Sequence, residues 1–383
     1  MKELRFNRDR MIIGPGALSA IENLEGRRFF VVSGKGSMVK NGTIGRIKEM
    51  LKKENKAYDI YLGIGGNPTV EEVEKGTARM KEFDPDVVLA VGGGSAIDAA
   101  KVMTLLCDYP TLSIDDIRTG NAPAARRKIT LVAAPSTSGT ASEVTGAAVV
   151  TFEEENLKVG LKSPAFFPDI AILDGELTLS MPQNVMVESG MDALTHALES
   201  YINKASNTFC KAISKSAAEG LFTWLPASFE KGDIESRQNV HEFQSLAGLS
   251  FANSGLGMDH GIAHAFGGQF GTSHGLLNAV ALPYVLEYNS RDAGVKADLD
   301  ALSAAIGGDV IDRVKALKKQ FGVPETFKAM GISEEAFAEH YESLLDNSLK
   351  GSTARNPVPI SREEMDKILK SIYDGQIRYS EAE

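Results

Sequence analysis

Through its first half the chain alternates short apolar runs with amphipathic stretches. Arg28-Phe29-Phe30-Val31-Val32 predicts a strand, followed by the loop Ser33-Gly34-Lys35-Gly36-Ser37 and a helix with Ile44, Ile47 and Leu51 at helical spacing. Tyr58 to Leu62 predicts a second strand and Thr69 to Glu82 a charged amphipathic helix. Asp86 to Val91 predicts a buried strand that runs into Gly92-Gly93-Gly94-Ser95 and a helix from Ala96 to Leu106, and Ile129 to Ala134 predicts another buried strand. Strands separated by helices imply a parallel, Rossmann-like sheet covered on both faces.

Beyond residue 182 the strand pattern stops. Helical spacing marks Met191 to Asn203, Cys210 to Leu225, Val240 to Ala252, Asp259 to Phe266, Ala297 to Ile306, Asp309 to Gln320, Glu334 to Leu345 and Arg362 to Tyr373. The expected fold is an α/β N-terminal domain over 1–181, followed by an all-α C-terminal domain over 182–383. The boundary falls near Ser180-Met181-Pro182.

Composition narrows the classes. At 383 residues a single core usually stops growing, which supports two domains. No run of 18 apolar residues is present, and the first residues, MKELRFNRDRMIIG, lack the apolar segment of a secretory signal. The two cysteines, Cys107 and Cys210, have no metal or redox spacing, so the expected location is the reducing cytoplasm. A net charge of -10 without a basic block argues against nucleic-acid and membrane partners.

Two loops are candidate nucleotide sites. Gly92-Gly93-Gly94-Ser95 ends a strand and opens a helix, where free N–H groups favour a pyrophosphate and glycines admit close approach. Ser95 is placed to cap that helix; the plainer alternative is a strand-to-helix turn. Pro135-Ser136-Thr137-Ser138-Gly139-Thr140-Ala141-Ser142-Glu143 is a hydroxyl-rich loop at the end of the next strand, a ligand position in open α/β sheets or simply a solvated loop.

Four of the six histidines, His196, His260, His264 and His274, form a candidate group. Asp192 and His196 lie at i, i+4, as do His260 and His264, so each pair shares a helix face; His274 follows in Ser273-His274-Gly275. A lone histidine is usually a packed core residue, but this clustering predicts a metal. Imidazoles with a carboxylate suit Fe(II), Zn, Co, Ni or Mn. His241 and His340, isolated in charged helices, are expected at the surface.

These pieces together resemble the iron-containing (group III) alcohol dehydrogenases, a family that includes butanol, 1,3-propanediol and lactaldehyde reductases. The similarity runs from about Phe6 to Pro357 and extends to the family's NADPH-dependent butanol dehydrogenases; it implies that the α/β domain over 1–181 binds the dinucleotide and the all-α domain over 182–383 binds the metal. Gly92 to Lys101 resembles the family's GGGSxxDxxK, and Pro135 to Val144 its PTTxGTGSEV, with Ala141 in place of a glycine. Gly190 to Ala197 and His274-Gly275 resemble its ligand segments. The resemblance implies that Asp192, His196, His260 and His274 bind Fe(II), or Zn in its place. It implies that Asn67, Gly93, Gly94, Ser95, Asp98, Thr137, Ser138, Thr140 and Lys158 line the cofactor, with Leu177 and Met181 near its nicotinamide half. It makes His264 a catalytic candidate beside the metal, either relaying a proton or orienting a ligand.

NAD-preferring members resemble VTD after the first strand, where the acid would meet the ribose 2′-hydroxyl. This chain has Val32-Ser33-Gly34 there, with Lys35 and Ser37 beside it, which predicts a preference for NADP(H) over NAD(H). The plainer alternative makes Lys35 an exposed turn residue. The expected reaction moves a hydride between NADP(H) and a small primary alcohol or aldehyde, with the ion as Lewis acid. Gly146, Ala147, Ala148, Val149 and Phe251 are expected to make a small apolar pocket. A homodimer or larger homo-oligomer is the expected assembly. The alternatives are a dehydroquinate-synthase-like or glycerol-dehydrogenase-like enzyme on the same fold, or a non-catalytic nucleotide-binding protein. No Lys/Arg cluster around 190–280 favours the synthase, and all four candidate ligands are present.

Overall fold

The computed structural model describes residue 4, residues 8–155 and residues 157–379. It divides into two compact units, Met1–Met181 with Asp233–Ser245, and Pro182–Gly232 with Leu246–Glu383. The expected boundary at 181/182 therefore leaves out one segment: residues 233–245, though helical, belong with the sheet unit.

The first unit is built on a six-stranded sheet. Its strands are β1 (Arg10–Ile13), β2 (Arg28–Gly34), β3 (Ala57–Ile64), β4 (Val87–Gly92), β5 (Thr130–Pro135) and β8 (Ile170–Leu173). Their order is β1-β8-β5-β4-β2-β3, and every neighbouring pair is parallel. β4 has six buried residues, as a strand covered on both faces must. One side packs Phe30, Val32, Val88 and Ala90 against the helix Gly94–Asp108; the other packs Phe29, Val31, Leu89 and Val91 with Ile44, Ile47 and Leu51 of the helix Thr43–Lys53. This alternation is the two-residue period of a strand.

Between β5 and β8 lies an antiparallel hairpin, β6 (Ala147–Phe152) with β7 (Leu157–Lys162). Its first strand holds Ala147, Ala148 and Val149 of the expected pocket, and Val149 is exposed there. Ala148 and Val150 are core residues, and the Ala147 carbonyl accepts a bond from the buried Lys101 ammonium at 2.7 Å.

The second unit is helical. Its elements include Gln183–Ile202, Thr208–Glu230, Met258–Phe270, His274–Asn289, Ala293–Ile306, Val310–Gln320, Glu334–Ser348 and Arg362–Asp374. Close approach of the first four is set by small residues. A Cβ on Gly275 would overlap the Glu188 carbonyl, one on Gly190 would meet Leu225, and one on Gly261 would strike Thr353. Among the described residues no helix is long and apolar enough to cross a membrane.

Candidate functional site

In the helical unit, the side chains of Asp192 and His196 emerge one turn apart from Gln183–Ile202. His260 lies in the first turn of Met258–Phe270 and His274 opens His274–Asn289. Three imidazole nitrogens face one carboxylate oxygen, Asp192 Oδ1: His260 Nε2 at 3.6 Å, His274 Nε2 at 3.7 Å and His196 Nε2 at 3.9 Å. Asp192, His260 and His274 each present an atom within 4.8 Å of the others, and His196 sits at the margin of that group. Asp192, His196 and His260 are buried, whereas the His274 side chain is 40% exposed, so the cluster opens on that side.

The surrounding groups prepare these atoms for an ion. Glu199 Oε2 lies 2.7 Å from His260 Nδ1, which holds a proton on Nδ1 and leaves Nε2 facing inward. Glu199 Oε1 accepts the Asp259 N–H at 2.7 Å, tying this carboxylate to the helix N-terminus. Asn278 Nδ2 donates to Asp192 Oδ1 at 2.7 Å and lies 3.2 Å from His260 Nε2 and 3.3 Å from His274 Nε2. Its Oδ1 is buried without a hydrogen-bond partner. Burial works against charge on Asp192, but the three imidazoles hold its carboxyl well below the usual range. Burial likewise lowers His260, but Asp192 and Glu199 on either side lift it to about 10. Three imidazoles converging on one carboxylate oxygen have the donor chemistry of a divalent transition-metal site.

His264 does not join the converging set. Its ring stacks on His274 at 5.0 Å between centroids and meets His260 edge-on at 6.0 Å. It is exposed, and desolvation by its surroundings first, then the neighbouring His274 and His260, lowers its pKa. Phe251 stacks on His196 at 4.4 Å, an apolar ring against a ligand candidate. His340 is half-buried beside Phe270 rather than a free surface residue.

In the sheet unit the two loops lie together at the C-terminal ends of β4 and β5. Gly92 turns the chain at φ 152°, and its carbonyl accepts the Ser136 N–H at 2.9 Å. A Cβ on Gly94 would lie 2.6 Å from Thr140 Oγ1, and one on Gly93 would contact Thr137 at 3.6 Å. Gly94 is thus required for the loops to close on each other, while a side chain at Gly93 would make only an ordinary contact with Thr137. Ser95 does not cap the helix. Gly93 is the N-cap, without a side-chain bond, and Ser95 Oγ donates instead to the Gly66 carbonyl beside Asn67. Asn67 and Thr140 are exposed and Thr137 is half-buried. Lys158 is exposed on β7.

Other expected cofactor residues are committed to the protein. Both Asp98 oxygens are used, one by Ser142 Oγ and one by the Val149 N–H at 2.8 Å, with Lys101 alongside. Asp98 therefore holds the hydroxyl-rich loop to β6. Leu177 is a core residue of the sheet unit, and Met181 is half-buried with its N–H on the Thr178 carbonyl. Ser138 is buried, with its Oγ 2.9 Å from Nδ1 of His241. His241 is fully buried, contrary to expectation, and burial lowers it to about 4. Its neighbour Gln244 accepts the Ala141 N–H at 3.1 Å and donates to Glu143 at 2.7 Å. Ala141 sits in the left-handed region at φ 50°, held by that clamp.

Gly34 ends β2, and Lys35 follows it with its N–H on the Ile64 carbonyl. The Lys35 ammonium pairs with Glu72 Oε1 at 2.7 Å. Glu72 closes the capping box of the helix Val70–Phe83 with Thr69 and also accepts the Gly65 N–H at 3.0 Å. Burial opposes its charge, but Lys35 and the Gly65 and Thr69 N–H groups hold it below the usual carboxylate range. Ser37 is exposed at the start of the short helix that follows.

Residues 9–175 match a family model described as iron-containing alcohol dehydrogenase, and residues 186–373 match the model of that family's C-terminal part. A curated relative, the NADPH-dependent butanol dehydrogenase of Clostridium saccharobutylicum, is 36% identical over 97% of this chain and 98% of its own length. The 1-propanol dehydrogenase of Citrobacter freundii is 32% identical over 95% of this chain and 98% of its own. Among solved structures, the iron-containing alcohol dehydrogenase of Thermococcus thioreducens superposes with a TM-score of 0.89 at 33% identity, covering 97% of this chain and 100% of that one.

Proposed function

Since the chain belongs to the iron-containing alcohol dehydrogenase family, whose members are NAD(P)-linked oxidoreductases of alcohols and aldehydes, we propose that it moves a hydride between NADP(H) and a small primary alcohol or aldehyde. The convergence of His196, His260 and His274 on Asp192 carries this proposal. These four residues would hold Fe(II). Bound there, the ion would supply Lewis-acid polarisation of the substrate oxygen. Zn suits the same atoms.

The residues around the ion do the remaining work. Glu199 fixes the His260 tautomer, and Asn278 holds the Asp192 carboxylate in register. The exposed edge of His274 leaves the side on which a substrate oxygen enters. Phe251 presents an apolar face beside His196, which suits an aliphatic chain. His264, neutral and in contact with solvent, passes a proton in concert, taking one at one ring nitrogen as it yields one from the other.

In the sheet unit, the helix N-terminus at Gly93 and Gly94, with Thr137 and Thr140 opposite, receives the pyrophosphate. Gly34, Lys35 and Ser37 at the end of β2 receive the 2′-phosphate. Support comes from the absence of an acid at Gly34 and from the NADPH dependence in the name of the Clostridium relative. The two cysteines, both free and buried, fit a cytoplasmic protein.

The test is an anaerobic assay of Fe(II)-loaded protein on butanal, with NADPH and NADH in parallel. The expected result is NADPH oxidation that a chelator abolishes and that falls on replacing Asp192 with Ala. Faster NADH oxidation would discard the 2′-phosphate assignment and keep the enzyme; turnover of neither cofactor on a range of aldehydes would discard the reaction. In His264→Ala, an unchanged kcat and pH profile would remove the proton relay.

A further inference from the structure

We propose that Glu72 is a specificity-determining residue: its carboxylate, held at the end of β2 by the helix Val70–Phe83, restrains Lys35 and weakens the site's selection for a 2′-phosphorylated ribose. This deepens the cofactor assignment above and rests on it. A dinucleotide with its pyrophosphate over the turn after β4 places its adenosine ribose over the end of a neighbouring parallel strand. β2 is hydrogen-bonded to β4 through Ser33↔Val91 and ends at Gly34. The sequence around Gly34 offers a cation and no acid. In three dimensions an acid is present, supplied from a position 37 residues further on (72 − 35).

Glu72 is a fixed charge. One oxygen accepts the Gly65 N–H at 3.0 Å and the Thr69 N–H at 3.4 Å, while the other accepts Lys35 Nζ at 2.7 Å. Its side chain is 16% exposed, whereas that of Lys35 is 67% exposed. The lysine is therefore the mobile partner and the carboxylate the anchor. A 2′-phosphate arriving beside Lys35 meets a cation already neutralised, and a carboxylate that repels its own double negative charge. A 2′-hydroxyl meets no such opposition, because a carboxylate accepts its hydrogen bond. Glu72 thus narrows the gap between the two cofactors that Lys35 opens.

The decisive substitution is Glu72→Gln. Glutamine can close the same capping box, so the helix start is kept and the charge is lost. Glu71→Gln is the matched control: Glu71 is adjacent, exposed and paired with Lys75, so it removes equal charge without touching Lys35. The probes are 2′,5′-ADP and 5′-AMP, measured by calorimetric titration, which require neither metal nor turnover.

Wild-type protein and E72Q should bind 5′-AMP alike, while E72Q binds 2′,5′-ADP roughly three- to tenfold more tightly and E71Q changes neither by as much as twofold. The NADPH/NADH ratio of kcat/KM should rise by a similar factor in E72Q. If Lys35→Ala weakens 2′,5′-ADP but E72Q leaves it unchanged, or E71Q matches E72Q, the role of Glu72 is overturned and the β2 site stands. If Lys35→Ala has no effect on 2′,5′-ADP, the ribose site itself is misplaced and the proposal falls with it.

Discussion

Glu199 Oε2 lies 2.7 Å from Nδ1 of His260, and the opposite nitrogen of that ring lies 3.6 Å from Asp192 Oδ1. One imidazole is thus spanned by two carboxylates, one that orients it and one that shares its ion. Replacing Glu199 with Gln keeps an acceptor but removes the charge, and replacing it with Ala frees the ring. Metal affinity should drop about tenfold in the first and nearer a hundredfold in the second, read by chelator competition. Equal affinity in wild type and E199A would show that the ring is held by packing alone.

Gly275 sets how closely the helix after His274 approaches Gln183–Ile202. Because a Cβ there would overlap the Glu188 carbonyl, the backbone itself must move. Gly275→Ala should cost about 1–3 kcal/mol by thermal or denaturant unfolding and should shift His274 away from Asp192. Its mark is metal content lost at a temperature where the protein remains folded.

Ala141 occupies a left-handed conformation that a side chain resists. Ala141→Gly removes that strain but adds freedom to the unfolded chain, and the net gain should be about 0.5–1 kcal/mol. Calorimetry should show a small rise in Tm. A fall would mean that the Gln244 clamp depends on the methyl group.

The cluster also predicts a dependence on pH. In metal-free protein His260 is raised from 6.5 to about 10, so its stabilising contribution is full below about 6.5 and is lost as pH rises through about 10. The metal-free Tm should therefore fall across that window. Metal binding must displace this proton, so affinity should strengthen with pH over the same range. Calorimetry in buffers of different ionisation enthalpy counts the protons released, and a count of zero at neutral pH would contradict a protonated His260.

Much of this was legible in the sequence. The strands Arg28–Gly34, Ala57–Ile64, Val87–Gly92 and Thr130–Pro135 are apolar runs long enough to stand out, whereas Arg10–Ile13 and Ile170–Leu173 span four residues each. The helix His274–Asn289 escaped because it opens at His-Gly and contains Pro283, both of which suggest a loop. Four-residue spacing marked Asp192 with His196 and His260 with His264 as candidates, whereas the set Asp192, His196, His260 and His274 followed from the resemblance. Glu199 and Asn278 carry the same spacing, at i+3 from His196 and i+4 from His274, but a carboxylate and an amide are common on solvated helix faces and do not stand out as histidines do. His241 could not be placed from its charged surroundings, since its partner Ser138 lies 103 residues away. Lys35 was readable as a cation, but its neutralisation by Glu72 needed the fold.

The ligand atoms come from three helices that are made in succession, with Asp192 and His196 first, His260 next and His274 last. A growing chain therefore offers only a two-point chelate until its final third has been synthesised and packed. On the proposed assignment, metal loading would belong to the folded protein rather than to the growing chain. Asn278, four residues past His274, donates to Asp192 and lies against His260 and His274 in the finished cluster.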